Sequence, residues 1–380
     1  MTSTRRVLAL AAAASCLAGA ARAQQALPFA SGWELKGAAR VERLEGREAL
    51  ALETGIAYRR DVSLQDGTLD LDVQLTRRRS FVYVMFRMQD DREFEEIYLR
   101  PHKSGLADAL QYAPVWQGQS AWQLHHGPGG TAAVELEPGA VTHVRLVLQG
   151  RRAALFVGDM EKPALLVPRL AREPRTGYVA LRGFLPEGVP GTGPIARYSN
   201  VEIRPGHVPY DFGPEVVPPA GPAGVVRSWA VSHAFAPPAP EAAPSLPDLA
   251  TAGEFRTLAT EPFGLLELHR HVALPEGKRA AAAVARVRVH AAQAGMRVFD
   301  LGFSDVAMVF LNGRPLARLD QSYSYDTPRR EGLIGYDQAR LYLPLDEGEN
   351  ELAILVADFF GGWGLMGRFL DPAGLRLEAR

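Results

Sequence analysis

Apolar and polar residues alternate along most of this chain. TLDLDVQL (68–75) changes character at every step and EFEEIYLR (93–100) alternates less strictly, the signature of strands whose successive side chains point to opposite faces. FVYVMFRM (81–88) is apolar almost throughout and predicts a central strand. VTHVRLVLQG (141–150) and AALFVGD (153–159) predict a hairpin pair, and TGYVALRGF (176–184) and ARYSNVEIR (196–204) close this first series. A second series runs through AAVARVRVHA (282–291), VAMVFLNGRPLA (306–317), ARLYLPL (339–345) and NELAILVADF (350–359). Asn312-Gly313 sits between apolar stretches and predicts a tight hairpin turn. No run of strand–helix units occurs, which argues against a Rossmann or barrel enzyme. The pattern predicts an all-β protein of two sandwiches.

Proline divides the two series. Eleven prolines fall from Pro205 to Pro247, in stretches such as VVPPAGPAG and FAPPAPEAAPSLP. Proline lacks an N–H and fixes φ, so these stretches suit neither a helix interior nor a central strand. The expected division is a leader at 1–23, a first sandwich at 24–206, a linker at 207–223 and a second sandwich at 224–380. SWAVSHAF (228–235) lies between proline runs and is expected to add an extended strand to the second sandwich.

Composition changes this picture at the N-terminus. Arg5 and Arg6 precede the short apolar run VLALAAAASCLAGA, and Ala21-Arg22-Ala23 then offers a small-x-small cleavage site before Gln24. These three features predict a cleavable secretory signal and a periplasmic or extracellular destination. Cleavage would leave 357 residues and remove Cys16, the only cysteine, so no disulfide would stabilise the mature fold. Without the leader's three arginines the balance is 39 basic against 43 acidic residues, a net −4. That argues against nucleic acid as a partner. No later segment reads as a membrane span.

The densest polar and aromatic stretch is FEEIYLRPHKSGLADALQYAPVWQGQSAWQLHH (94–126). Period two places Phe94, Glu96, Tyr98 and Arg100 on one strand face, with His102 just beyond Pro101. Tyr112, Trp116 and Trp122 follow. A sugar offers an apolar ring face to an aromatic platform and a rim of hydroxyls to carboxylate, guanidinium or imidazole groups. These seven residues, Glu96 through Trp122, are therefore candidate ligand contacts. Core packing competes for each tryptophan, and His125-His126 reads as a surface or capping pair. A second cluster, YSYDTPRREG (323–332), supplies Tyr325, Asp326, Arg329 and Arg330 as a possible clamp, with an ion-paired loop as the competing reading. In ADFFGGWGLMG (357–367) the paired glycines permit a bend exposing Trp363, and a buried corner would use the same residues.

Catalytic machinery is not legible. Glycoside hydrolysis uses two carboxyls roughly 5–10 Å apart, and Glu93 and Glu95, two apart on a strand at about 7 Å, fit that spacing. A solvated charged face explains them, and the similar pair Asp70 and Asp72, more simply. His269-x-His271 would share a strand face but lacks a third ligand for zinc. No calcium loop, G-x-S-x-G elbow, phosphate loop or HExxH occurs, so neither metal nor cofactor is expected.

FVYVMFR (81–87), FEEIYLRPHKSG (94–105), QYAPVWQG (111–118), AWQL (121–124) and YSNVEI (198–203) resemble the concanavalin A-like domains of the family-16-type and 3-keto-disaccharide hydrolase group in secreted bacterial proteins. That resemblance implies sugar chemistry, yet the E-x-D-x-E strand of the retaining glucanases is missing, so no catalytic carboxylate can be placed. FLNGRPL (310–316) and LYLPLDEGENELAILVADFFGGWG (341–364) are similar to galactose-binding-like jelly rolls, which implies sugar binding or structural attachment. The fold expected is a concanavalin A-like β-sandwich followed by a galactose-binding-like jelly roll. Three functions stay open: a carbohydrate-binding or recognition protein, a glycoside- or 3-keto-glycoside-acting hydrolase, and a non-catalytic structural or interaction protein of the cell envelope.

Overall fold

The computed structural model describes residues 24–215, 221–239, 242–324 and 331–379. The fold is all-β: among the described residues helix is confined to a four-residue turn, Leu249–Ala252, and two short 3-10 segments. Among the described residues no helix is long and apolar enough to cross a membrane.

The first fourteen strands form one sheet. They are β1 (Gln25–Ala26), β2 (Glu34–Leu44), β3 (Arg47–Leu64), β4 (Gly67–Leu75), β5 (Phe81–Met88), β6 (Phe94–Leu99) and β7 (Leu110–Trp116). Then follow β8 (Gln119–Ser120), β9 (Thr131–Ala132), β10 (Val141–Gln149), β11 (Arg152–Val157), β12 (Leu165–Val167), β13 (Gly177–Phe184) and β14 (Ala196–Pro205). The main path runs β12-β11-β10-β4-β14-β3-β13-β5-β6-β7-β8. Its two halves contribute to one core: Leu71, Val144, Leu155 and Val201 from one, Val84, Ile97, Tyr112 and Leu181 from the other. The sheet therefore curls back on itself as a sandwich. In β4 the leucines and valine enter this core, while Asp70 and Asp72 turn outward onto β10. There His143 and Arg145 pair with them, at 2.7 Å for His143–Asp72 and 2.6 Å for Arg145–Asp70. That aspartate pair is a structural ion lattice.

The second sandwich is made of β15 (Ser228–Val231), β16 (Arg256–Ala259), β17 (Leu266–Glu267), β18 (Ala281–Ala291), β19 (Gly295–Ser304) and β20 (Val306–Leu311). It continues with β21 (Arg314–Asp320), β22 (Ala339–Leu345), β23 (Gly348–Asp358), β24 (Gly364–Phe369) and β25 (Leu375–Glu378). A seven-stranded sheet, β16-β15-β18-β23-β20-β21 with β25 beside β18, faces a four-stranded sheet, β17-β24-β19-β22. Val289, Val309 and Ile354 of the larger sheet meet Phe299, Leu343 and Phe369 of the smaller. Asn312 and Gly313, at φ 50° and 75°, make the tight turn between β20 and β21, where left-handed backbone is required. SWAV of the proline-flanked segment is β15, paired to both β16 and β18.

One segment of the first sandwich docks on the second. Gln117 donates to the His269 and Val272 carbonyls at 2.7 and 2.8 Å and accepts from the Leu274 N–H. Gln123 is fully buried; its amide donates to the Glu331 carbonyl and accepts from the Gly362 N–H at 2.7 Å. Ala121 and Leu124 pack against Leu265, Ile334 and Met366. A Cβ at Gly361 would lie 2.1 Å from Gln123 Oε1, so the glycine pair admits the first sandwich's side chain.

Candidate functional site

Strands β3, β13, β5, β6 and β7 show their second face away from the core. On an ordinary half-exposed sheet that face is polar. Here it carries Tyr58, Tyr83, Met85, Phe94, Tyr98 and Ala180, all buried, with the half-buried Phe81, Phe184, Tyr178 and Trp122 packed against them. Register orders them in rows. Ile56, Arg182, Tyr83, Tyr98 and Gln111 lie side by side across the five strands, and Tyr58, Ala180, Met85, Glu96 and Ala113 form the next row. Five strands at about 4.8 Å spacing make a floor roughly 19 Å wide.

The rings are contiguous. Tyr83 and Tyr98 stand 4.9 Å apart between centroids, Phe81 lies 5.9 Å from Tyr98, and Phe184 lies 6.0 Å from Phe81. Such spacings suit offset and edge contacts, which hold the rings rigid. The Arg182 guanidinium lies 5.3 Å from the Tyr83 ring centre and 5.5 Å from that of Phe184. It is half-buried and makes no ion pair or hydrogen bond among the described residues. The other cations are committed. Arg60, 4.3 and 4.7 Å from Tyr58 and Tyr178, bonds Glu34 and Asp91. Arg100 donates to Asp108 at 2.6 Å, to the Tyr98 hydroxyl at 3.1 Å and to Gln111 Oε1.

Glu96 lies in the floor, 2% exposed. Ser120 of β8 donates to its Oε1 at 2.7 Å. Burial pushes its carboxyl up to about 7, with the Ser120 bond and the Arg182 charge offsetting part of the shift. Burial likewise raises the Tyr83 and Tyr98 hydroxyls well above the usual phenol range. His102 stacks edge-on to Phe81 at 5.5 Å, and its Nδ1 accepts the Ser80 N–H at 3.3 Å. Burial and the Arg100 charge lower it to about 4, so the ring is neutral at physiological pH.

Glu96, Tyr98, Arg100, His102 and Trp122 are thus brought to one face, as strand periodicity predicts for the first three. The remaining candidates lie elsewhere. Tyr112, expected at the ligand, is 1% exposed in the main core, because odd and even residues of β7 part to opposite faces. Its hydroxyl donates to Glu95 Oε1 at 2.8 Å and accepts the Ala171 N–H at 2.7 Å. Trp116 shares that side of β7 and is covered by Arg172, 3.9 Å from its ring centre. Trp363 is fully buried in the second core, its indole donating to the Val356 carbonyl at 3.0 Å. Its paired glycines serve the junction described above and do not expose it. Tyr325, Asp326, Arg329 and Arg330 lie outside the described residues.

Two further expectations change. Glu95 faces the sandwich core, 1% exposed and 3.5 Å from Arg87, so Glu93 and Glu95 are no solvated pair. His269 and His271 belong to a 3-10 turn, Leu268–Arg270, and the residue after it, instead of a strand; His269 is buried 3.1 Å from Asp358. Conversely, Tyr83, Phe81, Arg182 and Phe184 were missed. The sequence marks 81–88 and 176–184 as strands, but nothing local places a side of either beside Glu96.

No family model matches the chain, and no curated protein matches it. Solved structures do. A carbohydrate binding module from Bacillus subtilis aligns at 12% identity over 45% of this chain and 95% of its own, with a TM-score of 0.34. A protein of unknown function with a galectin-like fold, also from Bacillus subtilis, aligns at 10% identity over 49% and 96%, with a TM-score of 0.36. The β-glucanase of Bacillus licheniformis aligns at 12% identity over 48% and 97%, with a TM-score of 0.36.

Proposed function

We propose that the outward face of the first sandwich binds carbohydrate. The observation that carries this reading is Arg182, an uncommitted guanidinium stacked among aromatic rings on a sheet face that water would otherwise keep polar. The half-buried rings of Phe81 and Phe184, backed by the buried Tyr83 ring, would meet the apolar faces of sugar units. The planar fork of Arg182 would donate to paired ring oxygens or hydroxyls. The Arg100–Tyr98–Gln111 network beneath keeps the floor fixed before ligand arrives, which lowers the entropic cost of binding.

Hydrolysis, whether of glycosides or 3-keto-glycosides, is the second reading. The raised Glu96 carboxyl suits a general acid. Against it, no other residue in the two floor rows is acidic, so the partner carboxyl of glycoside hydrolysis is not supplied there. Binding without turnover is the better-supported function.

The test is a glycan array followed by calorimetry on residues 24–380. Arg182→Ala and Tyr83→Ala are each expected to weaken binding about tenfold or more, the scale of one charge-assisted hydrogen bond or one aromatic contact. Unchanged affinity in both variants would sink this site.

We also propose that the chain is exported through residues 1–23, from their basic, apolar and small-residue order. Mass spectrometry of protein recovered from periplasm or medium should find Gln24 at the N-terminus. Recovery there of a chain that keeps Met1 would contradict it.

A further inference from the structure

The floor does not end at the first sandwich. Trp122 packs on its margin, and the Arg100 guanidinium lies 5.1 Å from the Tyr98 ring centre and 6.0 Å from that of Trp122. Beyond Trp122 stand two rings of the second sandwich. Tyr323 is 5.8 Å from Trp122, Phe360 is 6.4 Å from it, and the two are 5.5 Å from each other. Arg79, two residues before β5, donates to the Tyr323 hydroxyl at 3.2 Å.

Phe360 is 56% exposed. An exposed phenylalanine usually sits on a yielding loop, and this one does not. The buried Asp305 carboxylate accepts the Phe359 and Phe360 N–H groups on one oxygen, at 2.8 and 2.9 Å. Its other oxygen takes the Gln123 amide at 3.4 Å, and Gln123 also holds Gly362. A residue of the first sandwich and a carboxylate of the second therefore fix together the backbone that carries this exposed ring. Holding apolar surface in water without a partner is unfavourable, so a rigid exposed ring continuous with an aromatic floor marks a contact surface.

We propose that the two sandwiches form one composite binding face, and that its ligand is an extended oligosaccharide running from Arg182 and Tyr83 across Trp122 to Phe360 and Tyr323. This rests on the carbohydrate reading of the floor. A chain of sugar rings is the occupant that fits, because the Arg182 and Arg100 guanidiniums set hydrogen-bonding groups among the rings, and a floor of roughly 19 Å together with Tyr323 and Phe360 exceeds a single sugar. Asp305 and Gln123 are positioning residues.

The test is titration of full-length mature protein with linear glucan, xylan and mannan oligosaccharides, dimers through octamers, using wild type, Phe360→Ala, Tyr323→Ala and Arg182→Ala. Thermal melts accompany each variant; Phe360→Ala should melt with wild type, since its ring is exposed. Wild-type affinity is expected to rise with chain length. Phe360→Ala should remove that rise, leaving dimers unaffected and octamers about tenfold weaker, while Arg182→Ala weakens both. Should Phe360→Ala and Tyr323→Ala keep the wild-type length dependence while Arg182→Ala loses binding, the composite face is overturned and the floor stands. Equal weakening of dimer and octamer by Phe360→Ala overturns it too. If wild type binds no member of the series, the floor reading and the composite face fall together.

Discussion

Trp363→Ala is expected to destabilise the protein by about 3–5 kcal/mol, the cost of emptying a large buried aromatic site. Trp363 is fully buried between the two sheets of the second sandwich, packed edge-on to His269 at 5.4 Å. Its indole N–H donates to the Val356 carbonyl, a bond the alanine would remove, adding to the loss. Against a typical total of about 5–15 kcal/mol this is a large fraction. The melting temperature of the second sandwich should fall by roughly 10 °C. Ligand affinity measured well below that transition should hold, because Trp363 contributes no surface to the aromatic floor. A variant that melts like wild type yet loses ligand would return Trp363 to the binding site, and a loss under about 1 kcal/mol would contradict its place in the core. Phe360, three residues earlier, is expected to behave in the opposite way.

Glu96→Gln is expected to raise stability above neutral pH. The folded carboxyl titrates near 7, against 4.5 for the unperturbed group, because burial disfavours its charge. Below about 4.5 both folded and unfolded chains carry the proton, and the group costs nothing. From about 4.5 to 7 the unfolded chain releases its proton first, so stability falls as pH rises. Above 7 the full penalty is present, on the order of 1–3 kcal/mol. Glutamine keeps the Ser120 contact without ionising. The variant should match wild type at pH 4 and exceed it at pH 8 in denaturant unfolding. Asp305, raised to about 6 by burial and the Asp358 charge, imposes a similar slope on both proteins, so the difference between them isolates Glu96. Parallel curves for the two proteins would show that Glu96 titrates normally.

The same variant bears on function. A binding protein should keep its ligand affinity after Glu96→Gln within a few fold. Turnover of a glycoside by wild type, abolished by this change, would favour the hydrolase reading.

The amino-acid order alone determined most strands and several of their faces. Alternation in 93–100 put Phe94, Glu96 and Tyr98 together, and the structure keeps them together, since period two is a local property of extended backbone. Asn312-Gly313 is similarly local, its left-handed backbone belonging to two residues and no others. What alternation does not decide is which of two apolar faces is the core. Tyr112 and Trp116 occupy the side of β7 opposite Ala113, and both sides are apolar enough to be interior. Only the curling of the sheet into a sandwich made Tyr112's side the core and left the other as the floor. Arg182 joined Glu96 and Tyr83 through pairing of β13 with β5, strands nearly a hundred residues apart, and no local pattern carries that register. The meeting of Trp122 with Phe360 lies further still from the sequence. It depends on how two separately patterned sandwiches dock, and Gln123, an unremarked amide in the chain, holds that junction because burial there leaves it no water to bond.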